Sequence, residues 1–163
     1  MLEFRNRFKQ RRRSDATWRT SIESETHENS GTRGEKIRIL MRSYDGSIPG
    51  PTIRVRKGDR LEIELANELA RKPEGNEIWN ELAYPNRTIL HVHGMHVSPR
   101  GHGDNMFVGV NPGTSRRYVY DIPPQHASGV FWGHAHSHGS SMIQTAYGLA
   151  FPIVVLDDVS VPE

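Results

Sequence analysis

Hydrophobic and polar residues alternate in short runs along most of the chain, which is the pattern of half-buried β-strands. The clearest run is Arg60–Asn67, in which Leu61, Ile63 and Leu65 fall on one face. Similar runs occupy residues 36–42, 52–56, 87–93, 115–122, 129–132 and 148–156. Turns rich in Gly and Pro separate them, and only residues 140–147 favour a short helix. The pattern predicts an all-β Greek-key sandwich or barrel of about seven strands with one short helix.

Three segments between these runs are described by their length and composition. Lys57-Gly-Asp59 joins the runs at 52–56 and 60–67 as a tight turn and predicts a β-hairpin with one buried side. Residues 97–113 form a long loop with several Gly and Pro, and loops of this length often carry function. Residues 68–86 have weak periodicity and are interpreted as an irregular insertion.

The first part of the chain differs in composition from the rest. Residues 1–34 are polar and charged without periodicity, which predicts a disordered tail before a single domain over residues 35–160. Residues 1–13 carry six basic side chains and one acidic one. A solvated tail is favoured over a nucleic-acid-binding or membrane-binding arm. No apolar segment follows the basic residues, so no secretory signal is visible and the compartment stays open. The longest apolar runs are of strand length, so no membrane span is predicted.

Histidine and cysteine usage narrows the chemistry. The chain has 163 residues and no cysteine, which excludes disulfides, thiolate metal sites and a blue-copper centre within it. Eight of its nine histidines lie between His91 and His138. His91 and His93 share one face of an extended strand, and His134 and His136 do the same. On neighbouring strands the two pairs would converge four imidazoles on one point, which suits copper, zinc, iron or nickel.

Other histidines and aromatic residues receive less specific interpretations. His96, His102 and His126 lie among Gly and Pro or in turns and are expected at the surface. Phe131 and Trp132 are expected in the hydrophobic core.

Five motifs occur in an order typical of one family. They are Asp45-Gly-Ser-Ile-Pro-Gly-Pro-Thr-Ile53, Lys57-Gly-Asp59, His91-Val-His-Gly94, Phe131-Trp-Gly-His-Ala-His136 and Gly148-Leu149. In these motifs the chain resembles the first cupredoxin domain of multicopper oxidases, which include laccases, ascorbate oxidases and bilirubin-oxidase-like proteins. The resemblance covers about residues 40–158.

The resemblance implies a cupredoxin-type fold and copper as cofactor. Members of the family oxidise phenols, amines or metal ions and reduce dioxygen to water at a trinuclear copper cluster. The first domain supplies four of the eight cluster histidines. By position, His91 would bind the type 2 copper, His93 and His134 one type 3 copper, and His136 the other. Asp104 falls near the place where the family keeps an acid that assists proton delivery.

The chain departs from the family pattern in three ways. His-Val-His replaces the frequent His-Trp-His, and Gly133 stands where an aromatic residue is usual. The later domains, with the other four histidines and the His-Cys-His segment, are not in this sequence. We therefore expect a first domain, a fragment or one part of a split protein that is inactive alone. Its expected partners are C-terminal cupredoxin domains or a partner chain, a small-molecule or metal-ion reductant, and dioxygen.

Two alternatives to an oxidase domain remain open. The same four histidines would serve a non-enzymatic copper-binding or zinc-binding module for storage or delivery. A cupredoxin-fold interaction protein with an unused site is the other. Cu/Zn superoxide dismutase is disfavoured because its usual cysteine pair is missing, and a cupin because no Glu follows His93 at the usual short spacing. Whether the chain belongs to an enzyme is left open, and localisation is unknown, although the family is often extracellular or periplasmic.

Overall fold

Two four-stranded sheets pack face to face in the computed structural model, which describes residues 16–30, 36–71 and 82–157. The elements in chain order are β1 Ala16–Ser30, β2 Lys36–Tyr44, β3 Ile53–Arg56, β4 Arg60–Asn67, β5 Leu90–His93, β6 Ser115–Asp121, β7 Gly129–Ala135, α1 Ser141–Ala146 and β8 Ala150–Leu156. The first sheet has the strand order β2-β1-β4-β6, and the second has the order β3-β8-β7-β5. The prediction of an all-β sandwich with one short helix is confirmed, with eight strands in the described residues instead of about seven.

The core lies between the two sheets and follows the predicted alternation. Leu61, Ile63 and Leu65 of β4 are fully buried, as are Ile153 and Val155 of β8 from the other sheet. Burial of one such side chain contributes about 1.5–3 kcal/mol to folding. The periodicity of two therefore decides which face of each strand turns inward.

A strand in the polar N-terminal part was not predicted. β1 lies within the segment that the sequence predicts to be disordered, and it pairs antiparallel with β2 and parallel with β4. Backbone hydrogen bonds on both edges hold this strand, and they leave no signature in the apolar pattern of a polar sequence. The predicted disorder is therefore wrong for residues 16–30, while residues 1–15 lie outside the described part.

The predicted hairpin is also wrong. β3 pairs parallel with β8 in the second sheet, whereas β4 pairs antiparallel with β6 in the first. The turn between β3 and β4 crosses from one sheet to the other and is held on the β6 end by Gly58, whose N–H donates to the Ile122 carbonyl (2.9 Å). Sequence spacing alone does not distinguish such a crossing from a hairpin.

Two further predictions concern the insertion at residues 68–86 and a membrane span. Residues 72–81 of the predicted insertion lie outside the described residues. No helix in the described ranges is long and apolar enough to cross a membrane.

Candidate metal centre

β5 and β7 bring the two histidine motifs together. The strands are antiparallel neighbours, and their register sets His91 opposite His134 and His93 opposite Trp132. Leu90 points into the core while His91 is partly exposed, so the histidines of β5 lie on the outer face of the second sheet. Directly opposed residues in such a pair have Cβ atoms about 4.5–5.5 Å apart. The fold thus places imidazoles from both motifs on one surface.

Three of the predicted ligands form a compact cluster. One ring nitrogen from each of His91, His93 and His134 lies within 4.8 Å of the other two. Nδ1 of His93 and Nε2 of His134 are 3.4 Å apart. Two nitrogens bound at roughly 2.0–2.1 Å to one tetrahedral metal ion are separated by about 3.4 Å. The spacing of this pair therefore fits a shared metal ion.

Hydrogen bonds determine which ring nitrogen of His91 and of His134 is free to bind a metal ion. His91 donates its Nδ1–H to Asp104 Oδ2 (2.8 Å), and His134 donates its Nδ1–H to the Ala135 carbonyl (3.0 Å). Nε2 of both rings then carries the lone pair that a metal ion needs. Burial lowers the pKa of His134, and the neighbouring imidazoles lower it further. The ring is therefore held in the neutral form that binds metal ions at pH 7.

The fourth predicted ligand stands beside this cluster. His136 follows directly after β7, and its ring centroid lies 5.2 Å from that of His91 and 5.6 Å from that of His134. The structure thus brings His91, His93 and His134 to one point and sets His136 next to them. Four imidazoles in this arrangement offer donors to more than one metal ion.

Asp104 reaches the cluster from the long loop after β5. Its Oδ2 accepts the hydrogen bond from Nδ1–H of His91, and its Oδ1 accepts the backbone N–H of Val92 (3.1 Å). The loop is tightly folded here, because the Asp104 N–H donates to the Ser98 carbonyl (2.8 Å). A Cβ on Gly103 would lie 2.0 Å from that carbonyl oxygen, so only glycine fits there. The carboxylate therefore orients His91, as carboxylates commonly do for metal-binding histidines.

Trp132 forms the aromatic backing of the cluster. Its ring stacks on His134 with centroids 4.1 Å apart and on His93 with centroids 5.3 Å apart. The side chain is 38% exposed, so the expectation of a core position is wrong. Alternation along β7 explains this, because Trp132 and His134 share the outer face whereas Gly133 faces the core. Stacking limits how far the two imidazoles can rotate.

Side chains close the free edge of β5. In the described part of the chain, β5 is an edge strand that pairs with β7 alone. Three backbone N–H groups along this segment donate to side chains from elsewhere: Leu90 to the Tyr118 hydroxyl (3.1 Å), Val92 to Asp104 (3.1 Å) and His96 to Nε2 of His126 (3.0 Å). Unpaired edge groups are normally left to water or to another chain. Here they hold the strand that carries His91 and His93.

The sequence did not reveal several of these contacts. His102 is exposed as expected, but His126 is only 2% exposed, so its predicted surface position is wrong. The turn around His126 packs against the segment after β5, which sequence spacing does not show. Its ring meets the edge of the Phe131 ring at 5.0 Å.

Comparison with known proteins gives one consistent family. The sequence profile described as multicopper oxidase matches residues 25–75 and 76–160. Laccase-2 of Oryza sativa subsp. japonica is 32% identical over 127 residues, which cover 72% of this chain and 20% of that protein. The chain spans about a fifth of the length of the curated relatives it matches.

Solved structures agree with the sequence match. The multicopper oxidase of Pseudomonas thermotolerans aligns with a TM-score of 0.63 and 26% identity over 90% of this chain and 31% of its own. The Campylobacter jejuni multicopper oxidase, described as a metallo-oxidase, aligns with a TM-score of 0.62 and 28% identity over 88% of this chain and 26% of its own.

Proposed function

Because the chain belongs to the multicopper oxidase family, we propose that it supplies the first-domain half of a trinuclear copper cluster that reduces dioxygen to water. The observation that carries this proposal is the convergence of His91, His93 and His134, with His136 beside them, on the outer face of β5 and β7. The family binds copper, and imidazole suits copper in both of its common oxidation states.

The individual ligand roles follow the family order. His91 binds the type 2 copper, His93 and His134 bind one type 3 copper, and His136 binds the other. The 3.4 Å separation of Nδ1 of His93 from Nε2 of His134 supports a shared ion for that pair. Burial supports the same role, since it keeps His134 neutral. The face on which they lie leaves room for ligands from outside this chain.

The chain's own residues bind the copper, orient the ligand rings and deliver protons. Copper, when bound, supplies the electron transfer that dioxygen reduction needs. Asp104 holds the imidazole of His91 through Nδ1–H and is the acid that assists proton delivery to the cluster. Trp132 restrains the His134 ring through its stacked contact. Preorganised ligands on rigid strands lower the cost of assembling the site.

The proposed oxidase needs more than this chain offers. The segment that aligns with the Oryza sativa laccase covers 20% of that protein, and the proposed partners are further cupredoxin domains in the same or another chain. A reductant such as a phenol, an amine or a metal ion delivers the electrons. A metal-storage module is not favoured, because the family match extends over the histidine motifs and the surrounding sandwich.

A domain exchange tests the proposal. Residues 16–157, which include β1, replace the corresponding segment of the Pseudomonas thermotolerans multicopper oxidase. Oxygen uptake is then measured with an electron donor that the parent enzyme oxidises. We expect the chimera to consume oxygen and the same chimera with His91→Ala to lose at least about 100-fold of the rate, since a missing ligand costs more than a missing orienting group. A folded chimera that binds copper but takes up no oxygen would contradict the proposal.

Replacing Asp104 by alanine should weaken copper binding by about 10–100-fold, the usual effect of removing a group that orients a metal-binding histidine. The substitution leaves Nδ1–H of His91 and the Val92 N–H without their acceptor. The measurement is a competitive copper titration of the purified chain. Asp121→Ala, at an exposed aspartate on β6 that pairs with Arg60, is the matched control and should bind copper like the parent. Equal copper affinities for the two variants would show that Asp104 does not support the metal site.

A further inference from the structure

A second pair of histidines lies outside the metal cluster. His126, in the turn between β6 and β7, is 2% exposed and has both ring nitrogens hydrogen-bonded. Its Nδ1–H donates to the Ala127 carbonyl (2.7 Å), and its Nε2 accepts the backbone N–H of His96 (3.0 Å). The His96 ring lies 5.6 Å away, centroid to centroid.

This arrangement permits one protonation state. A carbonyl oxygen only accepts, so Nδ1 must carry the proton, and a backbone N–H only donates, so Nε2 must be bare. A second proton on Nε2 would point at the His96 N–H, and the bond would be lost. An unpaired buried donor of this kind is costly, so a charged ring would open the contact.

The contact lies just beyond the metal-binding strand. The pairing of β5 with β7 ends where His93 faces Trp132, and Gly94 turns the chain with φ of 82°. The His96 N–H is the next donor held by a side chain. A Cβ on Gly94 would lie 3.3 Å from the Phe131 ring of β7. The turn at Gly94, at the end of β5, therefore packs against β7.

We propose that His126 is a positioning residue for the metal centre. In its neutral form it fastens the segment that follows β5 to the β6–β7 turn through the His96 N–H, and on protonation it releases that segment. Acid then weakens metal binding by loosening the strand that carries His91 and His93, in addition to protonating the ligands. The inference deepens the proposed function and depends on it for the copper readout alone.

Few titratable groups face His126, so we assign the expected response to acid to the protonation of its own ring. The turn Pro123–Ala127 carries no charged side chain, and the β7 side chain in contact is the apolar Phe131. From the segment after β5, the facing titratable side chain among the described contacts is His96. His96→Ala keeps the backbone N–H and removes this second imidazole, so it tests which of the two rings responds to acid.

Amide hydrogen exchange and copper titration together test the inference. The full chain is compared with His126→Gln, because a glutamine amide offers one donor and one acceptor and does not titrate in this range. In the metal-free parent we expect protection of the His96 amide, corrected for intrinsic exchange, to fall about tenfold from pH 7.5 to pH 5.5, as for one lost hydrogen bond. His126→Gln should keep its protection, whereas His96→Ala and the surface control His102→Gln should behave like the parent.

Copper affinity should follow the same pattern. Between pH 7.5 and pH 5.5 the parent should lose about tenfold more affinity than His126→Gln, the usual effect of a misplaced supporting group. Protonation of the ligands themselves is common to both proteins and cancels in this comparison. Acid-independent protection of the His96 amide in the parent, or an equal loss in His126→Gln, would overturn the inference. Acid-sensitive protection in a chain that binds no copper would uphold the contact and refute the proposed function instead.

Discussion

Replacing His93 and His134 together by alanine is expected to abolish tight copper binding. The two rings supply the nitrogens that lie 3.4 Å apart and that we assign to one ion. Loss of a group that merely orients a ligand costs about 10–100-fold in affinity, so loss of two ligands should exceed the upper end of that range. His91 and His136 alone do not reproduce the compact three-nitrogen cluster.

The measurement is copper content after dialysis against a competing chelator. The matched control is His96→Ala combined with His102→Ala, which removes two histidines from outside the cluster and should leave copper content unchanged. Circular dichroism of the metal-free proteins verifies that both variants keep the sandwich. A folded His93→Ala/His134→Ala protein with full copper content would refute the ligand assignment.

Much of the sandwich could be predicted because burial imposes a period of two on the strands. β4 was predicted with the bounds that the structure has, since Leu61, Ile63 and Leu65 leave no other face to bury. The polar β1 shows that a strand paired along both edges can lack the apolar alternation by which the other strands are predicted. The β3–β4 turn shows that chain order does not determine which sheet a strand joins.

In the candidate metal centre, too, some contacts follow from local sequence and others from long-range packing. The H-x-H spacing places each pair of imidazoles on one face, and that much is local. The carboxylate of Asp104 reaches β5, and the ring of His126 reaches His96 in the segment after β5. Both come from distant loops or turns, so their contacts depend on how those segments pack. Only the resemblance to a family pointed to Asp104, and nothing in the sequence pointed to His126.

Gly133 is the departure from the family pattern for which the structure supplies a physical reason. A Cβ at this position would lie 2.2 Å from Cζ of Phe151, far inside any real contact. The Phe151 ring is 1% exposed and meets Tyr44 edge to face at 5.2 Å. The ring thus fills the space above Gly133 on the core side of β7, while Trp132 and His134 occupy the outer side.

Gly133→Ala should therefore lower the free energy of unfolding by about 1–3 kcal/mol, the usual cost of overpacking a core. Because Gly133 lies between Trp132 and His134, displacement of the backbone there should also weaken copper binding. The measurement is urea unfolding of the metal-free chain, followed by a copper titration. Val130→Ala, at a position on the same strand that is 76% exposed, is the control and should change the free energy of unfolding by less than about 0.5 kcal/mol.

Phe151→Leu is the partner substitution that separates crowding from a general weakness of β7. Leucine is shorter than phenylalanine and withdraws the atoms that a Cβ at Gly133 would meet, at the cost of some buried area. Residues in direct contact show coupling energies of about 0.5–3 kcal/mol. We expect the double variant Gly133→Ala/Phe151→Leu to be more stable than the sum of the single effects by an amount in that range, and to recover copper affinity relative to Gly133→Ala. Strict additivity of the two substitutions would mean that glycine is required at position 133 for a reason other than the Phe151 ring.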